Sequence, residues 1–95
     1  MNEKLKSPAC DMLFEAILNL KDVCECYNFF EDVCTINELK SLAQRFEVAK
    51  MLTENETYTV IAKKTGASTA TISRVNRALN YGSDGYKTVL ERIKK

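Results

Sequence analysis

The chain of 95 residues has a formal net charge of +1 and 45% hydrophobic residues, which predicts a single globular domain over residues 1–95. No apolar run is long enough to span a membrane, and the polar first residues do not form a signal peptide, so we expect a cytoplasmic protein. The sequence contains no histidine, no glycine-rich phosphate loop and no nucleophile motif. These observations argue against an enzyme, and no cofactor is predicted.

The chain contains four cysteines and no CxxC spacing: Cys10, Cys24, Cys26 and Cys34. Cys24 and Cys26 lie two residues apart on a predicted helix, so their side chains point about 200° apart and cannot easily bind one ion together. We therefore predict free thiols and no metal site. A cysteine-based metal or redox sensor is the alternative, and the metal content of purified protein would test it.

Three helices are predicted after a structureless start at residues 1–6, and together they form a dimerisation region over residues 7–54. Each begins at a capping signal: Ser7-Pro8, Asp22 with Glu25, and Thr35 with Glu38. The second helix is apolar around most of its circumference. In the third helix we expect an inner stripe and a second apolar surface. The inner stripe comprises Leu39, Leu42, Ala43 and Phe46, and the second surface comprises Val48, Met51 and Leu52.

So much apolar surface is hard to bury within one small chain. Because homodimers are the commonest protein assembly, we expect a homodimer whose partner covers the excess. The alternative is that neighbouring helices of the same chain cover it.

The stretch TYTVIAKKTGASTATISRVNRALNYG predicts a helix-turn-helix over residues 57–80. Gly66 supplies the turn between its two helices, and Ser68 caps the second helix. The inward stripe of the second helix consists of Ile72, Val75 and Leu79. A last helix over residues 84–95 brings the count to about six, and the absence of any strand pattern predicts an all-α fold.

The outer face of the second helix of the motif carries small, hydroxyl and cationic side chains: Ser68, Thr69, Ala70, Ser73, Arg74 and Arg77. Such side chains can contact base edges and phosphates in the major groove. Residues 57–83 hold four basic residues and no acid, whereas residues 1–56 carry a net charge of −5. Lys63 and Lys64 belong to this acid-free stretch. The pattern predicts binding to double-stranded DNA, although an ordinary helical hairpin with a solvated basic face has the same composition.

The segment TGASTATISRVNRAL, together with FFEDVCTINELKSLAQRFEVAKML and the NYG turn, resembles the Trp repressor superfamily and its YerC/YecD subgroup. The resemblance extends from about Met12 to Ile93. It implies an intertwined all-α homodimer that binds a palindromic operator and regulates transcription, by repression in the family pattern. The base-reading positions of the family match Ser68, Thr69, Ala70 and Ser73.

The same resemblance implies an effector pocket in which the family binds tryptophan. Its residues match Thr35, Arg45, Arg74, Val75 and Ala78. The family has glycine at the Val75 position and serine at the Ala78 position, so a branched side chain replaces the space for the indole and a hydrogen-bond partner is lost. We therefore predict that tryptophan is not the effector. Arg45 and Arg74 then serve an unknown small-molecule effector or contact phosphate and surface acids.

Two functions remain in competition. The first is a dimeric DNA-binding transcription regulator, and the second is a protein-interaction module that keeps the helix-turn-helix shape without reading DNA. Enrichment of a palindromic duplex would favour the first, and a stable protein partner without DNA affinity would favour the second.

Overall fold

The computed structural model of the protein describes residues 1–94, which form six α-helices and one short 3-10 helix but no β-strand. The all-α prediction and the helix count are therefore confirmed. The 3-10 helix lies at Glu3–Leu5, where the sequence predicted no structure. The α-helices are α1 (Pro8–Leu18), α2 (Val23–Val33), α3 (Ile36–Thr53), α4 (Tyr58–Thr65), α5 (Thr69–Tyr81) and α6 (Gly85–Ile93).

The predicted capping residues begin the first three α-helices. Ser7 Oγ accepts a hydrogen bond from the backbone N–H of Cys10 at 3.0 Å, and Pro8 opens α1. At α3, Glu38 N–H donates to Thr35 Oγ1 at 3.1 Å while the Glu38 carboxylate accepts from Thr35 N–H at 2.8 Å. This reciprocal capping box lowers the pKa of Glu38, chiefly through the bond from the Thr35 backbone N–H.

The chain divides into two compact units, Met1–Leu39 and Lys40–Lys95. The first unit contains α1, α2 and the beginning of α3, and the second contains the remainder of α3 with α4, α5 and α6. The predicted dimerisation region, residues 7–54, thus continues from the first unit into the second.

No residue of the first unit is buried. The apolar side chains of α1 and α2 are exposed in large part, with Leu18 at 83% of its full accessible surface and Val23 at 71%. Phe29 and Phe30 contact each other edge to face, with ring centroids 5.4 Å apart. Two helices with this much apolar surface and no interior are incomplete as a folding unit.

The second unit has a hydrophobic core, to which α3, α4, α5 and α6 all contribute. Its buried side chains are Val48, Ala49, Met51, Ile61, Ala67, Ile72, Val75, Leu79 and Leu90. Phe46, Leu52 and Tyr86 pack against this core while remaining partly exposed.

The structure corrects the prediction for the inner face of α3. Leu42 and Ala43, which were assigned to the inner stripe, are exposed, whereas Val48 and Ala49 are fully buried. The reason is that the core forms only along the second half of α3, where α4 and α5 supply the opposing side chains.

The C-terminal helix α6 ends at Ile93, with Lys94 as its C-cap. The last residue of the predicted helix, Lys95, lies outside the described residues. Within residues 1–94, no helix combines the length and the hydropathy that crossing a bilayer requires.

Candidate nucleic-acid interface

Helix α4 and the turn after it have the geometry that the sequence predicted. Thr57 Oγ1 accepts from the backbone N–H of Val60 and caps α4, and Ile61 is fully buried. Gly66 ends the helix in the left-handed conformation with φ +74°, and its N–H donates to Ala62 O at 2.9 Å. Side chains other than glycine adopt this conformation only with strain, so the sharp turn depends on Gly66.

Helix α5 begins at Ser68, whose hydroxyl is engaged in capping. Ser68 Oγ accepts from Thr71 N–H at 3.1 Å and donates its own proton to Thr71 Oγ1 at 3.1 Å. The hydroxyl therefore has one free acceptor position for a ligand, and it fixes the first turn of the helix.

The two faces of α5 differ sharply in burial. Ile72, Val75 and Leu79 are buried in the core, as predicted. The opposite face is exposed and carries Thr69, Ala70, Ser73, Arg74 and Arg77. The hydrophobic contacts of one face thus hold the other face toward solvent.

Four polar side chains on the exposed face of α5 are unpaired within the part of the chain that the structure describes. Thr69 and Ser73 make no side-chain hydrogen bond there, and Arg74 and Arg77 form no ion pair. Two guanidinium groups and two hydroxyl groups are therefore available to an external polyanion with base edges.

The two lysines at the end of α4 are exposed but differ in their surroundings. Lys64 Nζ lies 3.9 Å from Glu56 Oε2, while Lys63 has no ion-pair partner among residues 1–94. An ion pair this long and exposed is weak. Both ammonium groups can contact phosphate, with less competition from acids at Lys63.

Gly82 follows the last residue of α5 and lies close to the backbone of Ala78. Its N–H donates to Ala78 O at 2.9 Å, and its φ of −89° lies outside the left-handed region. A Cβ at this position would lie 2.4 Å from the Ala78 carbonyl oxygen. Glycine is therefore required at the end of α5 for a steric reason.

The residues that match the effector pocket of the family have different environments. Val75 is 1% exposed, and its side chain belongs to the core. Ala78 is half-buried and lines a shallow apolar depression with Phe46. Arg45 is half-buried and Arg74 is exposed, and neither lines the depression that Ala78 forms with Phe46.

Thr35 belongs to the other unit, where its hydroxyl caps α3.

Sequence reasoning missed a hydrogen-bonded connection between α3 and the turn of the motif. Gln44 Nε2 donates to the backbone oxygen of Thr65 at 3.1 Å. Thr65 Oγ1 donates to Ile61 O at 2.8 Å and accepts from Ala67 N–H at 3.1 Å. The two ends of the Gln44 bond are 21 residues apart, so no local sequence signal could have indicated it.

Comparison with known proteins identifies the family to which this chain belongs. Residues 9–94 match the family model described as Trp repressor protein. The chain therefore belongs to the Trp repressor family, and the resemblance inferred from the sequence is confirmed.

Among individual relatives, the chain is 60% identical over 93 residues to "Uncharacterized protein YerC" of Bacillus subtilis (strain 168), covering 98% of this chain and 89% of that protein. The crystal structure of a TrpR like protein from Eubacterium eligens ATCC 27750 superimposes with a TM-score of 0.95 at 70% identity, covering 98% of this chain and 96% of the other. A Staphylococcus aureus crystal structure gives a TM-score of 0.94 at 53% identity, covering 97% and 92% respectively.

Proposed function

We propose that the protein is a homodimeric transcription regulator that binds a palindromic operator in double-stranded DNA and represses transcription. The observation that carries this proposal is the exposed, acid-free face of α5, on which Thr69, Ser73, Arg74 and Arg77 have no side-chain partner within the described chain. Membership of the Trp repressor family supports the same function. The helix-turn-helix supplies the geometry, because its second helix enters the major groove N-terminus first.

Five exposed side chains of α5 have chemical counterparts in the groove. The Ala70 methyl group suits the thymine methyl, and the hydroxyls of Thr69 and Ser73 can donate to or accept from base edges. Arg74 and Arg77 lie further along the helix, where a guanidinium can bind guanine in bidentate fashion or pair with phosphate.

Charge favours a polyanionic ligand for the second unit. Lys40–Lys95 contains eleven basic and five acidic residues, a net charge of +6, whereas Met1–Leu39 contains three basic and eight acidic residues, a net charge of −5. Neutralising phosphates supplies most of the affinity for duplex DNA, so binding should weaken steeply with added salt. Between the two lysines at the end of α4, Lys63 is better placed to bind phosphate, because it is exposed and has no ion-pair partner among residues 1–94.

The homodimer is proposed because the unit Met1–Leu39 has no buried side chain. The exposed apolar side chains of α1 and α2 need a covering surface, and a second copy of the chain supplies it with the two-fold symmetry that a palindrome requires. In such a dimer the two α5 helices bind half-sites separated by about 34 Å or a multiple of that distance.

We infer that tryptophan does not control this regulator, because Val75 occupies its position in the core with a branched side chain. Calorimetric titration with tryptophan should give no heat of binding. A clear isotherm at micromolar concentrations would contradict the inference.

Selection from random duplex DNA at low salt tests the proposal. We expect enrichment of a palindromic site, followed by a gel shift whose apparent affinity falls with salt. Arg77→Glu should abolish most of that affinity and reduce the salt slope by about one phosphate equivalent. Arg92→Glu is the matched control, since Arg92 is exposed and belongs to α6 rather than to α5.

Two outcomes would contradict the proposal. One is that no duplex is enriched although the dimer is intact, in which case an interaction module that recognises another protein replaces it. The other is that Arg92→Glu weakens DNA binding as much as Arg77→Glu, which would place the DNA surface elsewhere.

A further inference from the structure

The bond between Gln44 and Thr65 is unusual within this protein. Among residues 1–94 it is the one side-chain hydrogen bond whose partners lie more than five positions apart in sequence. Both residues are half-buried and belong to the unit Lys40–Lys95. The bond therefore joins α3 directly to the end of α4, at the point where the chain turns toward α5.

The other links between α3 and the helix-turn-helix are hydrophobic contacts of the core, such as those of Val48 and Ile72. Hydrophobic contacts are non-directional, so they hold two helices together while allowing small rotations. A hydrogen bond weakens steeply away from its preferred angle. The Gln44 bond can thus restrict an orientation that packing alone leaves adjustable.

The Thr65 carbonyl group is free to accept this bond. It is one of the last four carbonyl groups of α4, which have no hydrogen-bond donor within the helix. The Thr65 side chain extends the connection in both directions, donating to Ile61 O and accepting from Ala67 N–H. Ala67 directly precedes Ser68, the cap of α5. A set of hydrogen bonds therefore leads from α3 to Ala67, the residue immediately before the cap of α5.

We propose that Gln44 is a positioning residue for DNA recognition, which sets the angle of α5 by anchoring the turn through Thr65. The proposal rests on the proposed function in one respect, namely that α5 reads DNA. Gln44 itself contacts no base. Its effect appears as discrimination between the operator and unrelated DNA, because base contacts require accurate placement whereas phosphate contacts tolerate small shifts.

The decisive variant is Gln44→Met, which keeps an unbranched side chain of similar length but removes the donor. We expect affinity for the selected operator to fall about tenfold while affinity for unrelated duplex changes less than twofold. Ser41→Ala is the matched control, because Ser41 is exposed on α3 and makes no side-chain hydrogen bond within residues 1–94. It should leave both affinities unchanged.

The Thr65 hydroxyl provides a second test at the other end of the connection. Thr65→Val should lower operator discrimination as Gln44→Met does, and Thr65→Ser, which retains the hydroxyl, should restore it. The double variant Gln44→Met/Thr65→Val should discriminate no worse than the poorer single variant, because both act through one turn.

A measurement without DNA separates this inference from the proposed function. Relaxation-dispersion NMR reports motion on the microsecond-to-millisecond timescale. Amides from Gly66 to Ala70 should show little exchange in the unchanged protein and clear exchange in Gln44→Met. If the unchanged protein enriches no duplex, the proposed function fails, while the NMR result still decides whether Gln44 orders the turn.

The inference is overturned if Gln44→Met lowers the melting temperature but leaves both operator discrimination and amide exchange as they were. That outcome would make Gln44 a contributor to stability alone.

Discussion

Met1–Leu39 and Lys40–Lys95 use the same kind of amphipathic helix to opposite effect. In Lys40–Lys95, four helices converge on a set of buried aliphatic side chains, with Ile61 and Ile72 fully inaccessible. In Met1–Leu39, α1 and α2 contain comparable apolar residues, yet none of them is buried. The difference is that other helices of the chain pack against apolar side chains of Lys40–Lys95 and bury them, but bury none of those of α1 and α2. Helix propensity and capping do not account for it.

The contrast shows that Lys40–Lys95 folds around buried side chains of its own, whereas Met1–Leu39 buries none, which is the observation behind the proposed dimer. The capping boxes of α2 and α3 determine where helices begin, but helices of this length gain most of their stability from packing. In the proposed dimer, a second copy would cover the apolar side chains of Met1–Leu39 and would also supply a second α5 helix. The four predictions below test that division.

The largest effect is expected in the core of the second unit. Ile72→Ala should lower the free energy of unfolding by about 2–5 kcal/mol per chain, through lost burial and the cavity left behind. Urea unfolding at several protein concentrations will measure the change, since a dimer's stability depends on concentration. An effect below about 1 kcal/mol would mean that the core is not the stabilising centre of this unit.

The next largest effect concerns the uncovered helices. Leu18→Glu should raise the dissociation constant of the dimer about 100-fold or more, because a charge would enter the subunit interface twice. Sedimentation equilibrium will measure it. Tyr81→Glu is the matched control, as Tyr81 is 85% exposed at the end of α5 and should leave assembly unchanged. Equal behaviour of the two variants would remove α1 from the interface.

A smaller effect on stability is expected at Gly66, in the turn between α4 and α5. Gly66→Ala should cost about 1–2 kcal/mol, because alanine is strained at φ +74°. Gly85→Ala should change stability by less than about 0.5 kcal/mol, since no atom lies within 4 Å of its Cβ position. Thermal unfolding of both variants will compare them, and similar melting temperatures would contradict a left-handed turn.

The smallest effect is a pH dependence in the first unit. The folded state lowers the pKa of Glu38 through the Thr35 N–H, so this group contributes stability above its unfolded pKa, and the contribution is lost as the pH falls through the lowered value. Glu38→Gln should therefore be slightly less stable than the unchanged protein at neutral pH, and the difference should shrink in acid. A difference that grows in acid would contradict the sign.

The candidate site was predictable to the extent that it depends on local chemistry. The left-handed turn at Gly66, the cap at Ser68 and the inward stripe of α5 all follow from residue type and spacing within a few positions. The exposure of Arg74 and Arg77 follows as well, because a helix that buries one face must expose the other. What the sequence could not supply was the connection from Gln44 to Thr65, whose partners meet only after α3 and α4 have packed.

The amino-acid sequence by itself determined where the α-helices begin, the all-α class, which face of α5 is exposed, and the family. Those properties depend on the period of the helix and on hydrogen bonds between near neighbours. Tertiary structure alone decided which half of α3 enters the core and which apolar helices stay uncovered. The physical reason is that burial depends on which surface packs against each side chain. Leu42 and Val48 are similarly hydrophobic, yet Leu42 is exposed and Val48 is fully buried.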